Sequence, residues 1–271
     1  TLYAGVYWMV KKTTGWTLLS HTSDVTRLML ILTHLLPWLA ALAVLCRMVE
    51  RYVRSDFARL LIVTTGAFGT LATAFTVTIN NHSLGAASLI LSLYSSLRVL
   101  ESSDENAEGG RWRVFHAASA GFFAAFTVTC ELPAALYGVL IFLLLLRRDW
   151  KLTLFAFAPA ALVPLSAYFV TNALATGGWK PFYAYYGTDK YEYVFEGIPS
   201  YWKSPKGMDR AVDSPAVYFL HCTIGHHGIL SLTPIWLISL WGWFSLRRVG
   251  GHPLRPFLAM GLLLNVVVLG F

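Results

Sequence analysis

Charge is what this sequence has least of. Only 13% of its 271 residues are Asp, Glu, Lys or Arg, against 56% hydrophobic residues and a mean hydropathy of +0.57. A soluble domain carries about one quarter charged residues, so a soluble globular class is excluded. The alternation in blocks of about ten residues that marks a membrane β-barrel is also missing. Acids are scarcer than bases, 14 to 21, giving a net charge of +7. The bases are scattered over the ends of apolar runs and form no continuous face, which excludes a nucleic-acid partner. Cysteine is nearly absent. Cys46, Cys130 and Cys222 have no metal-ligand spacing and read as small packing residues; a Cys130–Cys222 disulfide has nothing beyond a shared expected side to support it. Position 1 is not Met, no signal peptide opens the chain, and an apolar run is in progress at Phe271. A piece of a longer membrane protein is therefore expected.

What is present is a series of runs approaching the roughly 17–25 apolar residues that cross a bilayer. The expected fold is all-α, a polytopic helical membrane protein of about eight spans, near residues 25–46, 58–79, 84–100, 114–130, 133–146, 152–174, 229–246 and from 254 onward. Residues 1–10 are apolar and aromatic but too short to span, so an interfacial helix is expected before the break at Lys11-Lys12 and Thr13-Thr14-Gly15. Residues 20–24 offer N-cap side chains to the first span. Pro37 predicts a kink there, and Gly66 with Gly69 a close-packing face on the second span. Residues 101–113 read as a solvated linker. Four segments result: 1–24, the end of an outer loop; 25–174, a six-span core; 175–228, an aromatic outer loop; and 229–271, further spans.

Orientation follows from arginine. The connections after the odd-numbered spans carry Arg47, Arg51, Arg54 and Arg59; Arg98, Arg111 and Arg113; Arg147, Arg148 and Lys151; and Arg247, Arg248 and Arg255. The short connections after the second and fourth spans carry no Lys or Arg. The arginine loops are thus expected in the cytoplasm, and the turns at 80–83 and at Glu131 outside.

Those two turns share a signature. The second span runs into Ala74-Phe75-Thr76-Val77-Thr78 and then Asn80-Asn81-His82-Ser83; 51 residues later the fourth ends in Ala125-Phe126-Thr127-Val128-Thr129, then Cys130-Glu131-Leu132-Pro133. Asn80, Asn81 and His82 suit helix capping, and equally a polar binding edge. Glu131 is the one acid in the short outer turns and a functional candidate by position. In the long loop, Trp179, Lys180, Tyr183, Tyr185, Tyr186, Tyr191, Tyr193 and Trp202 suit either an interfacial aromatic belt or a platform for sugar rings. His221, His226 and His227 lack zinc spacing, so no metal site is expected. Between Gly225 and Gly228, His226 and His227 are placed to hold a phosphate or hydroxyl at a helix amino end.

Residues 1–8 (Thr-Leu-Tyr-Ala-Gly-Val-Tyr-Trp), Leu143-Leu144-Leu145-Leu146-Arg147-Arg148 after a short Pro-led span, and Gly228-Ile229-Leu230-Ser231-Leu232-Thr233-Pro234 before a late one carry a resemblance. The chain resembles the GT-C superfamily of membrane glycosyltransferases, in the branch of protein O-mannosyltransferases and the lipid A aminoarabinose transferase. The resemblance implies a polyprenyl-phosphate sugar donor, a glycan, lipid or protein acceptor, and inverting transfer on the periplasmic face of a bacterial inner membrane. It also implies a catalytic Asp and a Lys-Pro-Pro-Leu motif ahead of Thr1. Substrate contacts would fall on Asn80, Asn81, His82, Glu131, Lys180, Tyr185, His226 and His227, with Lys180 and the two histidines at the leaving phosphate. No cofactor is required, a divalent cation being one alternative. The chain departs from the family where relatives often place an Asp and it has Asn80-Asn81-His82, and where they often read Lys-Gly-Pro and it has Cys130-Glu131-Leu132-Pro133. A secondary transporter, or a flippase or ligase for lipid-linked glycans, is the alternative. In the transporter case the echo would be a trace of internal duplication.

Overall fold

The structure, a computed structural model, describes residues 2–101, 107–206, 210, 213–225, 228–244 and 254–270. It divides into two units, Thr1–Pro164 with Leu240–Phe271, and Leu165–Ser239. The described residues are all-α apart from one short hairpin. Among them four helices, Thr22–Tyr52, Asp56–Val77, His82–Glu101 and Trp150–Thr176, are long and apolar enough to cross a membrane, and a lipid bilayer is the environment they suit.

Helix α1 (Leu2–Thr14) is amphipathic and ends where Gly15 takes a φ of 75°, a conformation glycine adopts without strain. Its Val10, with Val6 and Tyr7 beside it, packs on Val25 and Met29 of the next helix. That helix comprises α2 (Thr22–Leu30), a π-helical turn (Ile31–Leu35) and α3 (Leu36–Tyr52). The side-chain cap expected from residues 20–24 does not form: the N-cap is His21, whose side chain makes no capping bond. Pro37 lacks an N–H, and its ring crowds the carbonyl four residues back. The wide turn directly before it takes up this mismatch. The same solution recurs later: α9 (Trp150–Leu152) passes through a π-helical turn (Thr153–Phe157) into α10 (Ala158–Thr176), two residues ahead of Pro159.

The second expected span is interrupted. It consists of α4 (Asp56–Phe68), α5 (Leu71–Ala74) and a 3₁₀ turn (Phe75–Val77). Gly66 is a packing glycine as expected, since a Cβ there would lie 2.8 Å from Leu45 Cδ2. Gly69 is not. It caps α4, and a Cβ on it would meet its own helix at Thr65.

The core of the first unit lies between α6 (His82–Glu101), α7 (Ala107–Cys130) and α8 (Ala135–Arg148). Small residues on α6, among them Ala87, Ser88, Ser92 and Ser96, are buried and let α3 and α7 approach closely. Ser92 donates to the Ala120 carbonyl (3.1 Å) and accepts from Tyr137 (3.0 Å), so its hydroxyl is fully paired in the seam, whereas the buried Ser96 hydroxyl finds no hydrogen-bond partner among the described residues. Gly121 rests on the second π-helical turn: a Cβ there would sit 2.2 Å from the Phe157 carbonyl oxygen. Val99, Ile141 and Leu145 fill the centre, with Phe257 and Met260 of α14 (Arg255–Gly270) packed against it.

The linker at 101–113 is not merely solvated. Glu101 is the last residue of α6, and α7 already begins at Ala107. Glu101 accepts from Tyr52 (2.6 Å) and pairs with Arg51 (2.9 Å) and Arg98 (3.6 Å), while the buried Arg113 donates to Asp149 (3.0 Å). Tertiary partners extend both helices beyond the apolar runs that announce them.

The second unit contains the end of α10, the loop after it, α11 (Pro215–Thr223), α12 (Ile229–Leu232) and the start of α13 (Trp236–Phe244); α14 spans Arg255–Gly270. The seventh expected span is broken at 233–235, where Pro234 cannot continue α12. The loop folds around Tyr191, only 2% exposed, which stacks on Phe182 (4.6 Å between centroids) and meets Trp202 and Tyr186 (5.4 Å each). Val194–Phe195 (β1) and Ile198–Pro199 (β2) form an antiparallel hairpin beside it.

Candidate functional site

The two AFTVT turns meet. Asn80 opens α6: its Oδ1 accepts from the Ser83 N–H (2.9 Å) and its Nδ2 donates to the carbonyls of Phe75 (2.7 Å) and Thr78 (2.8 Å). Its side chain therefore shapes the turn, as a capping residue does. Asn81 and His82 face the other turn. Asn81 Nδ2 donates to the Cys130 carbonyl (2.6 Å) and to Glu131 Oε1 (2.9 Å), and His82 Nδ1 pairs with the same carboxylate oxygen. Gly85, one turn into α6, permits this approach, since a Cβ there would already touch Cys130 and Glu131 at 3.4 Å. Thr127 hydrogen-bonds the Phe123 carbonyl (2.8 Å) in its own helix and reaches the Gly85 carbonyl of α6 (3.4 Å), so this threonine serves backbone carbonyls and not the side-chain cluster.

Glu131 thus holds an imidazole on one side and an amide on the other. The His82 side chain is 60% exposed and that of Glu131 33% exposed. Among the described residues His82 Nε2 has no hydrogen-bond partner, and it is open to a ligand. A carboxylate that orients one imidazole nitrogen leaves the other to accept or donate a proton at a hydroxyl.

Beneath this cluster lies a second layer that sequence reasoning missed. His34, 1% exposed, sits in the π-helical turn of the first span. Thr33 gives its proton to the Met29 carbonyl (2.7 Å), so its oxygen accepts from His34 Nδ1 (2.8 Å). His34 Nε2 then lies 2.9 Å from the Asn80 carbonyl oxygen and 3.3 Å from the Asn80 N–H. A neutral ring with its proton on Nδ1 accepts from that N–H; a protonated ring donates to the carbonyl. The Tyr3 hydroxyl also donates to the Asn80 carbonyl, and its ring stacks on His34 at 5.6 Å. Burial, and secondarily the Cys130 thiol, pushes the Tyr3 phenol up to about 12. A lone histidine inside an apolar run was the available signal for His34. Nothing in the sequence singles out Tyr3 among the aromatics of α1.

The remaining expected residues belong to the second unit. Lys180 is exposed. Tyr185 is half-buried, with the Lys190 ammonium 4.9 Å above its ring, and Gly178 leaves room for its hydroxyl. Tyr185 therefore fastens the loop. His226 and His227 lie outside the described residues. The three cysteines are free thiols, and no group of three metal-ligating side chains occurs among the described residues. Comparison with known proteins finds no matching family model, curated protein or solved structure.

Proposed function

We propose that the chain is the membrane core of a GT-C-like glycosyltransferase, which moves a sugar from a polyprenyl-phosphate donor to an acceptor hydroxyl at the end of the spans where the two AFTVT turns meet. One observation carries this reading: Asn81, His82 and Glu131, 49 and 50 residues apart across two turns, converge in a half-exposed cluster with an unfilled imidazole nitrogen. Amide, imidazole and carboxylate together are a set suited to sugar hydroxyls. In the inverting step the acceptor oxygen bonds to C1 of the sugar as the C1–phosphate bond breaks. The acceptor's proton passes to the Asp expected ahead of Thr1, and the lipid phosphate leaves. General-base assistance of this kind contributes about 10²–10⁴-fold. Glu131 and Asn81 would hold the sugar, with His82 at a hydroxyl. The reading places that end at the periplasmic face of a bacterial inner membrane, as the arginine distribution suggests.

The test is a Glu131→Gln/His82→Ala variant of the complete protein, assayed for transfer from a labelled polyprenyl-phosphate sugar. A transfer rate reduced at least 10²-fold with an unchanged melting temperature is expected. Undiminished transfer would overturn the assignment of the site.

A secondary transporter is the second reading, and His34 is the observation in its favour. A buried imidazole in a π-helical turn of a span is a feature of ion-coupled sites. Uptake of a labelled solute into proteoliposomes, abolished by His34→Ala, would support transport over transfer.

A further inference from the structure

The loop of the second unit carries a second, independent feature. At the hairpin tip Glu196 (φ 50°) and Gly197 (φ 81°) form the two-residue turn with both central φ positive that matches strand twist. The four strand residues that flank it, Val194, Phe195, Ile198 and Pro199, are exposed on both faces, and Tyr193 beside them is exposed too. Among the described residues, none buries them. A two-stranded ribbon is at best marginally stable in water, and this one turns its apolar groups outward on every side.

Directly beside the tip lies an open groove of about 560 Å³, lined by the apolar Val194 and Pro199 of the hairpin itself and by Ser200, Lys203, Ser204 and Lys206. Both lysines are exposed, and among the described residues neither has a carboxylate partner. Two ammonium groups without a carboxylate partner among the described residues, together with two serine hydroxyls, are donors that suit a phosphate. The loop is also pinned to the end of a span: Lys190 donates to the carbonyl of Thr176, the last residue of α10, at 2.6 Å. A loop fixed at the mouth of a membrane helix lies within reach of the lipid surface.

We infer that the hairpin at 194–199 dips into the bilayer interface and that the groove beside it binds the phosphate headgroup of an anionic phospholipid through Lys203 and Lys206. Apolar side chains on the tip with ammonium groups set behind them match the order of the bilayer itself, hydrocarbon first and phosphate above it. The single carboxylate at the tip, Glu196, sits at the turn and outside the groove lining. The inference does not depend on glycosyl transfer, because it concerns only how the loop is held.

The experiment uses the full chain in nanodiscs, with Cys46, Cys130 and Cys222 replaced by Ala and a bimane fluorophore on Ile198→Cys. One set of discs is pure phosphatidylcholine and the other one-quarter phosphatidylglycerol. Quenching by headgroup-depth nitroxide lipid but not by aqueous iodide, seen in the anionic discs, is expected. In the same chain, binding of fluorescent short-chain phosphatidylglycerol should weaken about five-fold for each of Lys203→Gln and Lys206→Gln. Iodide quenching equal in both discs overturns the insertion. Phosphatidylglycerol binding indifferent to both lysines overturns the headgroup site. Displacement of the lipid by inorganic phosphate alone at equal concentration would assign the groove to a soluble phosphate and overturn the membrane source.

Discussion

The helices α6 and α7 end in polar clusters at both extremities, and the two are built on opposite plans. At the Glu101 end the two carboxylates Glu101 and Asp149 each have guanidinium partners. Glu101 has two arginines and a tyrosine hydroxyl, and its side chain is 16% exposed; Arg113, at 8% still more buried, has Asp149, whose other oxygen caps α9 at the Leu152 N–H (3.0 Å). At the Glu131 end a single carboxylate shares one imidazole and one amide, and the imidazole still faces outward. Carboxylates that are fully partnered fasten helices, whereas groups left with unused valence can take a ligand. The difference separates structural from functional polarity without any reference to a family, and it can be tested at each end.

The largest effect belongs to the enclosed end. Arg113→Ala leaves Asp149 without its cation in a region with little water. Removing one partner of a buried pair costs about 3–5 kcal/mol, and the partial exposure of Asp149 puts the expectation at the lower limit. Thermal melting in detergent should show a large fall in Tm, and a shift near zero would mean that the pair is solvated. Next comes the seam between the ends. Gly121→Ala drives a methyl group into the Phe157 carbonyl and should cost about 1–3 kcal/mol by overpacking. Gly85→Ala, which meets its neighbours at ordinary contact distance, is the milder control. Equal losses from the two would show that α7 can slide away from the π-helical turn.

Tyr3 gives a smaller effect with a defined pH signature. Tyr3→Phe removes a hydroxyl that donates to the Asn80 carbonyl, worth about 1 kcal/mol. The phenol is raised in the folded state from its ordinary 10 to about 12, so folding favours the neutral form. Its contribution is complete below pH 10 and disappears as the pH rises from 10 to 12. Burial raises the Tyr191 phenol as well. The difference between the wild-type and Tyr3→Phe stability curves isolates Tyr3, and it should close over that window. A difference constant to pH 12 would show that the hydroxyl is not held by the turn.

What the sequence disclosed divides along the same line. Hydropathy located the apolar runs, because burial in lipid is written in residue type. The AFTVT echo located the two turns that meet, because the partners there are side chains: Asn81, His82 and Glu131. Hidden were interactions whose partner is a main-chain group far along the chain. His34 and Tyr3 both address the Asn80 carbonyl, 46 and 77 residues away, and a carbonyl leaves no mark in a sequence. Glu101 read as solvated because Tyr52, 49 residues earlier, gives no local sign of reaching it. Pro37 did announce a kink. That it would be met by a widened turn, as Pro159 also is, depended on how neighbouring helices pack.

The smallest expected stability change is at the open end, and it bears most on function. In Glu131→Gln the amide keeps the shape of the carboxylate and still accepts from Asn81, but it loses the charge facing His82. With the two side chains one-third and three-fifths exposed, water screens the pair, and the loss should be about 0.5 kcal/mol. If Glu131 were a fastener like Glu101, melting and activity would decline together. If it belongs to a site, the melting curve should barely move while transfer or uptake collapses. That dissociation is the expected outcome, measured on one preparation by Tm and by whichever activity the complete protein displays. A fall in Tm as large as that of Arg113→Ala would make the two ends alike and return Glu131 to the structural inventory.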